Sequence, residues 1–190
     1  NFAELRQRLA EAGETFRGTS DTEIMLAAIS SWGLDAAVKS FAGQFAFALW
    51  DRGTHRLHLV RDRLGEKPLY YGWMGSTLLF GSELKALRAH PAWQGTVDRD
   101  ALTLYMRHGC VPAPYSIYEG VCKVEPASIV TVSPGGRSES TRYWVLEDVI
   151  RHGLAHPLSG SDRDITDQVE RERPHRADAL LRKRADADRP

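Results

Sequence analysis

The stretch from Arg61 to Tyr71 constrains the fold more than any other part of this chain. It reads Arg-Asp-Arg-Leu-Gly-Glu-Lys-Pro-Leu-Tyr-Tyr and places a charged loop between two apolar segments. Pro68 has no amide hydrogen to donate, so it disturbs the hydrogen bonds of a sheet least at the first residue of a strand. Gly65 suits a tight turn. The pattern predicts a strand that ends near Arg61, a loop that turns at Gly65, and a second strand entered at Pro68.

The segments around this loop have the composition of antiparallel strands joined by short turns. Residues 44–50 are almost continuously apolar, residues 56–60 alternate, and Asp51-Arg52-Gly53-Thr54 lies between them as a hairpin turn. Two further hairpins are predicted from the same signals, the first over residues 69–73 and 77–80 and the second over residues 128–132 and 138–144.

Helical patterns precede and follow these strands. Residues 2–11 and 21–32 carry apolar residues at helical spacing, and residues 34–40 predict a third, short helix. The strand that ends near Phe80 runs into another short helix, and Asp98 is placed to cap a helix that extends to about residue 107. Hairpins with helices grouped before and after them predict an α+β layered fold.

The composition excludes several classes of protein. The 25 Lys and Arg residues balance the 25 Asp and Glu residues, so the sequence shows no basic surface for nucleic acid or for an anionic membrane. It has no apolar run of membrane-spanning length. Its two cysteines, Cys110 and Cys122, do not resemble a secreted disulfide framework and are interpreted as packed thiols. The cysteine usage and the lack of a membrane-spanning run predict a cytoplasmic protein. The histidines show no metal-ligand spacing, so we expect no metal in this chain.

Four motifs resemble the class II glutamine amidotransferase domain of glutamine-hydrolysing asparagine synthases. They are the Arg61 to Tyr71 stretch, Phe80-Gly81-Ser82-Glu83-Leu84-Lys85-Ala86-Leu87, the turn Gly18-Thr19-Ser20-Asp21-Thr22-Glu23, and the Pro-rich segment over residues 111–121. Asn1-Phe2-Ala3-Glu4-Leu5 is similar to the stretch that follows the family's Asn-Gly-Glu loop. The likeness extends from Asn1 to about Tyr143.

This resemblance implies a fold and a domain organisation. The fold is the N-terminal nucleophile hydrolase αββα sandwich, in which two antiparallel sheets pack between helical layers, here expected to be incomplete at its N-terminus. Residues 1–145 form the amidotransferase domain, and residues 146–190 form a linker and charged tail that carries none of the synthetase domain. Residues 161–190 contain 16 charged residues and predict a solvated helix or disordered tail, or else the start of a linker helix.

The resemblance also implies a reaction. Glutamine, aspartate and ATP give asparagine, glutamate, AMP and diphosphate, and an N-terminal cysteine releases the ammonia from glutamine. The chain as given begins at Asn1 rather than at a cysteine, so we expect it to be inactive by itself. Its partners are expected to be L-glutamine and a synthetase domain of the same protein, and ATP and Mg²⁺ belong to that domain.

Among site residues, the resemblance assigns a role to Asp21, whose carboxylate accepts the α-ammonium of glutamine. Ser20 and Glu23 have the spacing of a capping box, which places Asp21 in the first helical turn. The alternative is that Asp21 only complements the helix dipole, at about 0.3–1 kcal/mol. Ser20 is also interpreted as possible support for the site. Arg61 with Asp62, as an ion pair, and Glu83 are interpreted as further support, or else as solvated loop charges.

Two other functions remain open from the sequence. A degenerate amidotransferase-like domain would bind an amino acid or a partner without catalysis. A β-lactam-forming or peptide-cyclising relative would share the same front domain without the cysteine.

Overall fold

The helices and strands of the chain fall into two units. A computed structural model describes residues 1–155, of which Asn1–Trp144 form the first unit and the second begins at Val145. The helices of the first unit are α1 (Phe2–Glu11), α2 (Asp21–Trp32), α3 (Leu34–Ser40), α4 (Leu84–Arg88) and α5 (Arg99–His108). Its strands are β1 (Ala46–Asp51), β2 (Arg56–Arg61), β3 (Tyr70–Met74), β4 (Thr77–Gly81), β5 (Val121–Lys123), β6 (Ser128–Val132) and β7 (Ser138–Arg142).

Local signals set the limits of α2. The Ser20 hydroxyl accepts a hydrogen bond from the Thr22 amide at the start, and Gly33, with a φ of 81°, ends the helix. Ile24 and Ala28, four residues apart, are buried on one face. The predicted helix over residues 21–32 is therefore confirmed.

The seven strands form two antiparallel sheets. The first has the order β1-β2-β6-β7 and the second has the order β4-β3-β5. The three predicted hairpins are present. Strand β5 was not predicted, because its three residues are too few to show the alternation of apolar and polar side chains that identifies a strand. Gly72 of β3 is required at this pairing, since a Cβ there would lie 2.3 Å from the Gly120 carbonyl oxygen.

Alternation along β2 shows how the first sheet is covered on both faces. Val60 belongs to the apolar cluster that α1, α2 and α3 pack against, while its neighbour Leu59 points to the other face. There Leu59 meets Leu69 and Val124, which flank strands of the second sheet. The first sheet therefore lies between a helical layer and the second sheet.

The outer face of the second sheet is also covered. Met74, Leu79 and Val121 pack with Leu87 of α4 in a third apolar cluster. The order of layers is helices, four-stranded sheet, three-stranded sheet, helices. The predicted α+β sandwich, with two antiparallel sheets packed between helical layers, is confirmed.

The second unit contains α6 (Leu146–Ala155), in which Arg151 pairs with Asp148 at 3.1 Å. The charged tail predicted over residues 161–190 lies outside the described residues. Within residues 1–155, no helix combines the length and the apolar character needed to cross a membrane.

Candidate functional site

A groove runs between α2, from Asp21 to Ile29, and the outer edge of β1, and we term it the α2–β1 groove. Its volume is about 350 Å³, within the range of about 300–1,000 Å³ typical of small-molecule sites. It is lined by Asp21, Thr22, Met25, Leu26, Ile29, residues 44–49 and Lys67. The walls are therefore mostly apolar, with charged side chains at two places.

Asp21 is the acidic side chain of this groove. One carboxylate oxygen, Oδ1, accepts the Thr22 backbone N–H at 2.7 Å and its hydroxyl at 3.4 Å. No described residue donates to the other oxygen, Oδ2, and no described cation pairs with this carboxylate. Asp21 also lines a neighbouring cavity of about 140 Å³ that extends toward Asn1 and Phe41. A carboxylate with a free oxygen in a groove of this size suits an ammonium group.

The turn before Asp21 is held differently from the predicted capping box. Ser20 caps the helix as expected, but Glu23 does not accept the Ser20 amide. Its carboxylate instead accepts the backbone N–H groups of Arg17 and Gly18, both at 2.9 Å. Arg6 of α1 donates to the Gly18 carbonyl at 2.8 Å. The prediction of the Glu23 bond was wrong, because a turn bent back over α2 brings earlier amides within reach of its side chain.

The hydrogen bond from the Arg17 amide has the largest effect on the pKa of Glu23, and the bond from the Gly18 amide has the next largest. Both lower this pKa below its ordinary value. A lowered pKa in the folded state gives a stabilisation that is present above the unfolded value and is lost as pH falls through the folded value. We therefore expect Glu23→Gln to lower the urea midpoint at neutral pH and the difference to shrink in acid. Glu4→Gln in the first turn of α1 is the matched control. Equal effects of both substitutions would contradict this role for Glu23.

Asp62 organises residues 62–67, which we term the Asp62 loop. The residue is 1% exposed, and its carboxylate accepts the backbone N–H groups of Leu64, Glu66 and Lys67 at 3.2, 2.9 and 2.9 Å. Its own amide donates to the Phe45 carbonyl at 2.9 Å, which ties the loop to the chain entering β1. Asp62 thereby fixes the loop residue, Lys67, that reaches the α2–β1 groove.

Arg61 holds the same loop by donating hydrogen bonds to its backbone carbonyl oxygens. Its guanidinium donates to the carbonyls of Gly65, Lys67 and Val124 at 2.5, 2.8 and 2.7 Å. The expected ion pair with Asp62 is not formed, because each side chain is already occupied by backbone groups of the loop. Burial lowers the pKa of Arg61, and the nearby Asp62 opposes that shift. Gly65 turns the loop with a φ of 67°.

Glu83 lies elsewhere. Its carboxylate pairs with Lys85 at 2.5 Å, and both side chains are largely exposed. It lines neither the α2–β1 groove nor the cavity beside it. Of the predicted site residues, only Asp21 lines the α2–β1 groove. Ser20 caps the helix that carries Asp21, Arg61 and Asp62 act on the groove only through Lys67, and Glu83 lies apart.

Sequence reasoning missed Lys67. This residue precedes Pro68 in the motif and lines the α2–β1 groove together with Asp21. No described carboxylate lies within ion-pairing distance of its ammonium group. The sequence placed Lys67 in this loop. It did not show that the loop lies near α2, because that follows from the pairing of β1 with β2.

The thiols and the potential metal ligands show no catalytic arrangement in the described residues. Cys110 is exposed, so its interpretation as a packed thiol was wrong, whereas Cys122 is partly buried, which raises the pKa of its thiol. No group of three or more His, Cys, Asp and Glu side chains in residues 1–155 is placed to hold a metal ion.

The sequence matches the family described as glutamine amidotransferase domain over residues 1–144. It is 40% identical over 148 residues to glutamine-hydrolysing asparagine synthetase 3 of Bacillus subtilis, covering 77% of this chain and 24% of that protein. It is also 40% identical over 136 residues to asparagine synthetase 1 of the same organism, covering 72% and 21%. The chain therefore spans about a quarter of the length of these relatives.

Solved structures show the same fold. Glutamine phosphoribosylpyrophosphate amidotransferase from B. subtilis superimposes with a TM-score of 0.53 at 22% identity, covering 75% of this chain and 27% of that one. At this identity the likeness supports the fold alone. The family match covers every motif that carried the resemblance. This chain belongs to the glutamine amidotransferase domain family.

Proposed function

We propose that this chain is the glutamine-hydrolysing part of a glutamine-dependent asparagine synthase. Glutamine binds in the α2–β1 groove with its α-ammonium on Asp21, and its side-chain amide is cleaved to glutamate and ammonia. The observation that carries this proposal is the free oxygen of the Asp21 carboxylate inside a groove of about 350 Å³. The names of the two Bacillus relatives support asparagine as the product.

The nucleophile of the proposed reaction is an N-terminal cysteine carried by a segment that precedes Asn1 in the longer protein. The outer edge of β1 supports a place for this segment. Among the described strands, β1 pairs with β2 alone, so the backbone groups on its other side are available for a further strand. That edge lines the α2–β1 groove, so a strand added there would itself become part of the wall beside the bound glutamine.

The ammonia is used in a synthetase domain that follows this one. ATP and Mg²⁺ bind there to activate aspartate, and no residue of this chain is assigned to them. The free thiols Cys110 and Cys122 agree with a reducing compartment, and we propose the cytoplasm.

The proposal is tested on the complete product of the locus and on the 190-residue chain. We expect the complete product to release glutamate from glutamine, to lose this activity after alkylation of its N-terminal cysteine, and to form asparagine with aspartate and ATP. The 190-residue chain should release none. A complete product that begins with another residue, or that leaves glutamine intact, would instead support a binding module or a β-lactam-forming relative.

A further inference from the structure

The α2–β1 groove and the cavity beside it meet at four residues. Their volumes are about 350 and 140 Å³, and both are lined by Asp21, Met25, Gln44 and Phe45. Asp21 and Met25 belong to α2, whereas Gln44 and Phe45 lie in the chain that enters β1. The junction is therefore bounded by one carboxylate, one carboxamide and two apolar side chains, contributed by two different segments.

The side-chain amide of Gln44 is available to a ligand. The residue is exposed, and within residues 1–151 no group forms a hydrogen bond with its amide. The amide of Gln7, in contrast, donates to Glu11 at 3.0 Å. A carboxamide offers a carbonyl acceptor and two N–H donors. Gln44 thus brings donors and an acceptor to a junction whose other polar group, Asp21, offers acceptors alone.

The backbone on both sides of Gln44 is fixed. The Ala42 amide donates to Oδ1 of Asn1 at 2.9 Å. The Phe45 carbonyl accepts the amide of Asp62, a residue that is 1% exposed, also at 2.9 Å. Binding therefore has to order only the side chain of Gln44, which costs less than ordering a mobile loop.

Glutamine has groups that match this junction. Its ammonium suits Asp21, and its methylene groups suit Met25 and Phe45. Its carboxamide suits Gln44, because two primary amides pair through two hydrogen bonds, each donating one N–H and accepting one. Glutamate has no N–H at that end, so the Gln44 carbonyl oxygen would face a carboxylate without a donor.

We infer that Gln44 is a specificity-determining residue, whose side-chain amide pairs with the carboxamide of glutamine and discriminates against glutamate. The inference rests on the proposed function, which places glutamine in the α2–β1 groove with its α-ammonium on Asp21. Glutamate is the product of the proposed hydrolysis. Weaker binding of glutamate at Gln44 therefore favours its release.

The ratio of the dissociation constants for glutamate and glutamine tests this pairing. Both constants are measured by calorimetry on the complete protein, with its N-terminal cysteine replaced by alanine so that glutamine is not cleaved. Gln44→Met removes the donors and the acceptor at similar length and should weaken glutamine binding roughly three- to tenfold. Glutamate binding should change little, because the lost N–H donor is offset by the loss of the repelling carbonyl oxygen. The ratio should therefore fall.

A second variant should move the ratio the other way. Gln44→Glu places a negative charge opposite the side-chain carboxylate of glutamate, so glutamate binding should weaken more than glutamine binding and the ratio should rise. A residue that only shaped the groove would alter the binding of both ligands alike in both variants. Opposite shifts therefore distinguish recognition of the carboxamide from a structural role.

Gln94→Met is the matched control, because Gln94 is also exposed and lines neither of the two cavities. It should leave the ratio at the parental value. A parental ratio in the Gln44→Met variant would overturn the inference, and so would an equal loss of affinity for both ligands.

Glutamine hydrolysis by the complete protein with its N-terminal cysteine intact is measured separately. A protein that hydrolyses glutamine, but whose ratio does not respond to Gln44→Met, contradicts the assignment of Gln44 alone. A protein whose ratio shifts as expected, but which leaves glutamine intact, contradicts the proposed hydrolysis alone.

Discussion

Asp21→Asn in the complete protein should lower glutamine-dependent turnover by a factor of roughly tens or more, mainly through a higher KM for glutamine. The substitution keeps the size of the side chain and an oxygen for the Thr22 amide, but removes the charge that faces the substrate ammonium. Synthesis driven by added free ammonia should continue, because that route bypasses the α2–β1 groove. Steady-state kinetics with glutamine and with ammonium salts give both values.

A matched control separates substrate binding from helix stabilisation. Asp100 lies in the first turn of α5, as Asp21 lies in the first turn of α2. Asp100 does not line the α2–β1 groove. If Asp21 acted only on the helix dipole, Asp100→Asn and Asp21→Asn would both cause a small loss of stability and leave KM unchanged. A parental KM in the Asp21 variant, or equal loss of both ammonia sources, would contradict its assignment to glutamine.

Asp62→Ala should lower the free energy of unfolding by roughly 3–5 kcal/mol, because it leaves three backbone N–H groups without their acceptor. An unsatisfied buried donor costs about 1–3 kcal/mol, and because these three hydrogen bonds are only partly buried and the loop can relax, we expect less than the full sum. The carboxylate is 1% exposed, so water cannot take its place without opening the Asp62 loop. Urea denaturation of the parent and the variant measures the difference.

Asp51→Ala is the control for this substitution. The Asp51 carboxylate also receives three hydrogen bonds, from the Gly53 amide and from the amide and hydroxyl of Thr54, but in an exposed turn. Water can replace it there, so the loss should be much smaller. Equal losses for the two variants would mean that burial of the Asp62 carboxylate does not strengthen its hold on the loop. Asp62→Asn, which keeps one acceptor oxygen, should lie between parent and Asp62→Ala.

Helix limits and hairpins were predictable because their signals are local. Ser20 and Gly33 mark the two ends of α2 within the sequence, and the turn over residues 51–54 joins strands that are adjacent in the chain. Asp21 was placed in the first turn of α2 by the same reasoning, and its assignment to glutamine came from the resemblance. These inferences depend on residues only a few positions apart.

The sequence alone determined the α+β class, the family and the position of Asp21. The tertiary structure decided that Glu23 bonds to earlier amides, that Arg61 and Asp62 bind the loop backbone rather than each other, and that Lys67 shares a groove with Asp21. Each of these depends on which backbone groups pass close to a side chain after folding. Such distances follow from strand order and layer packing, which no short segment of sequence specifies.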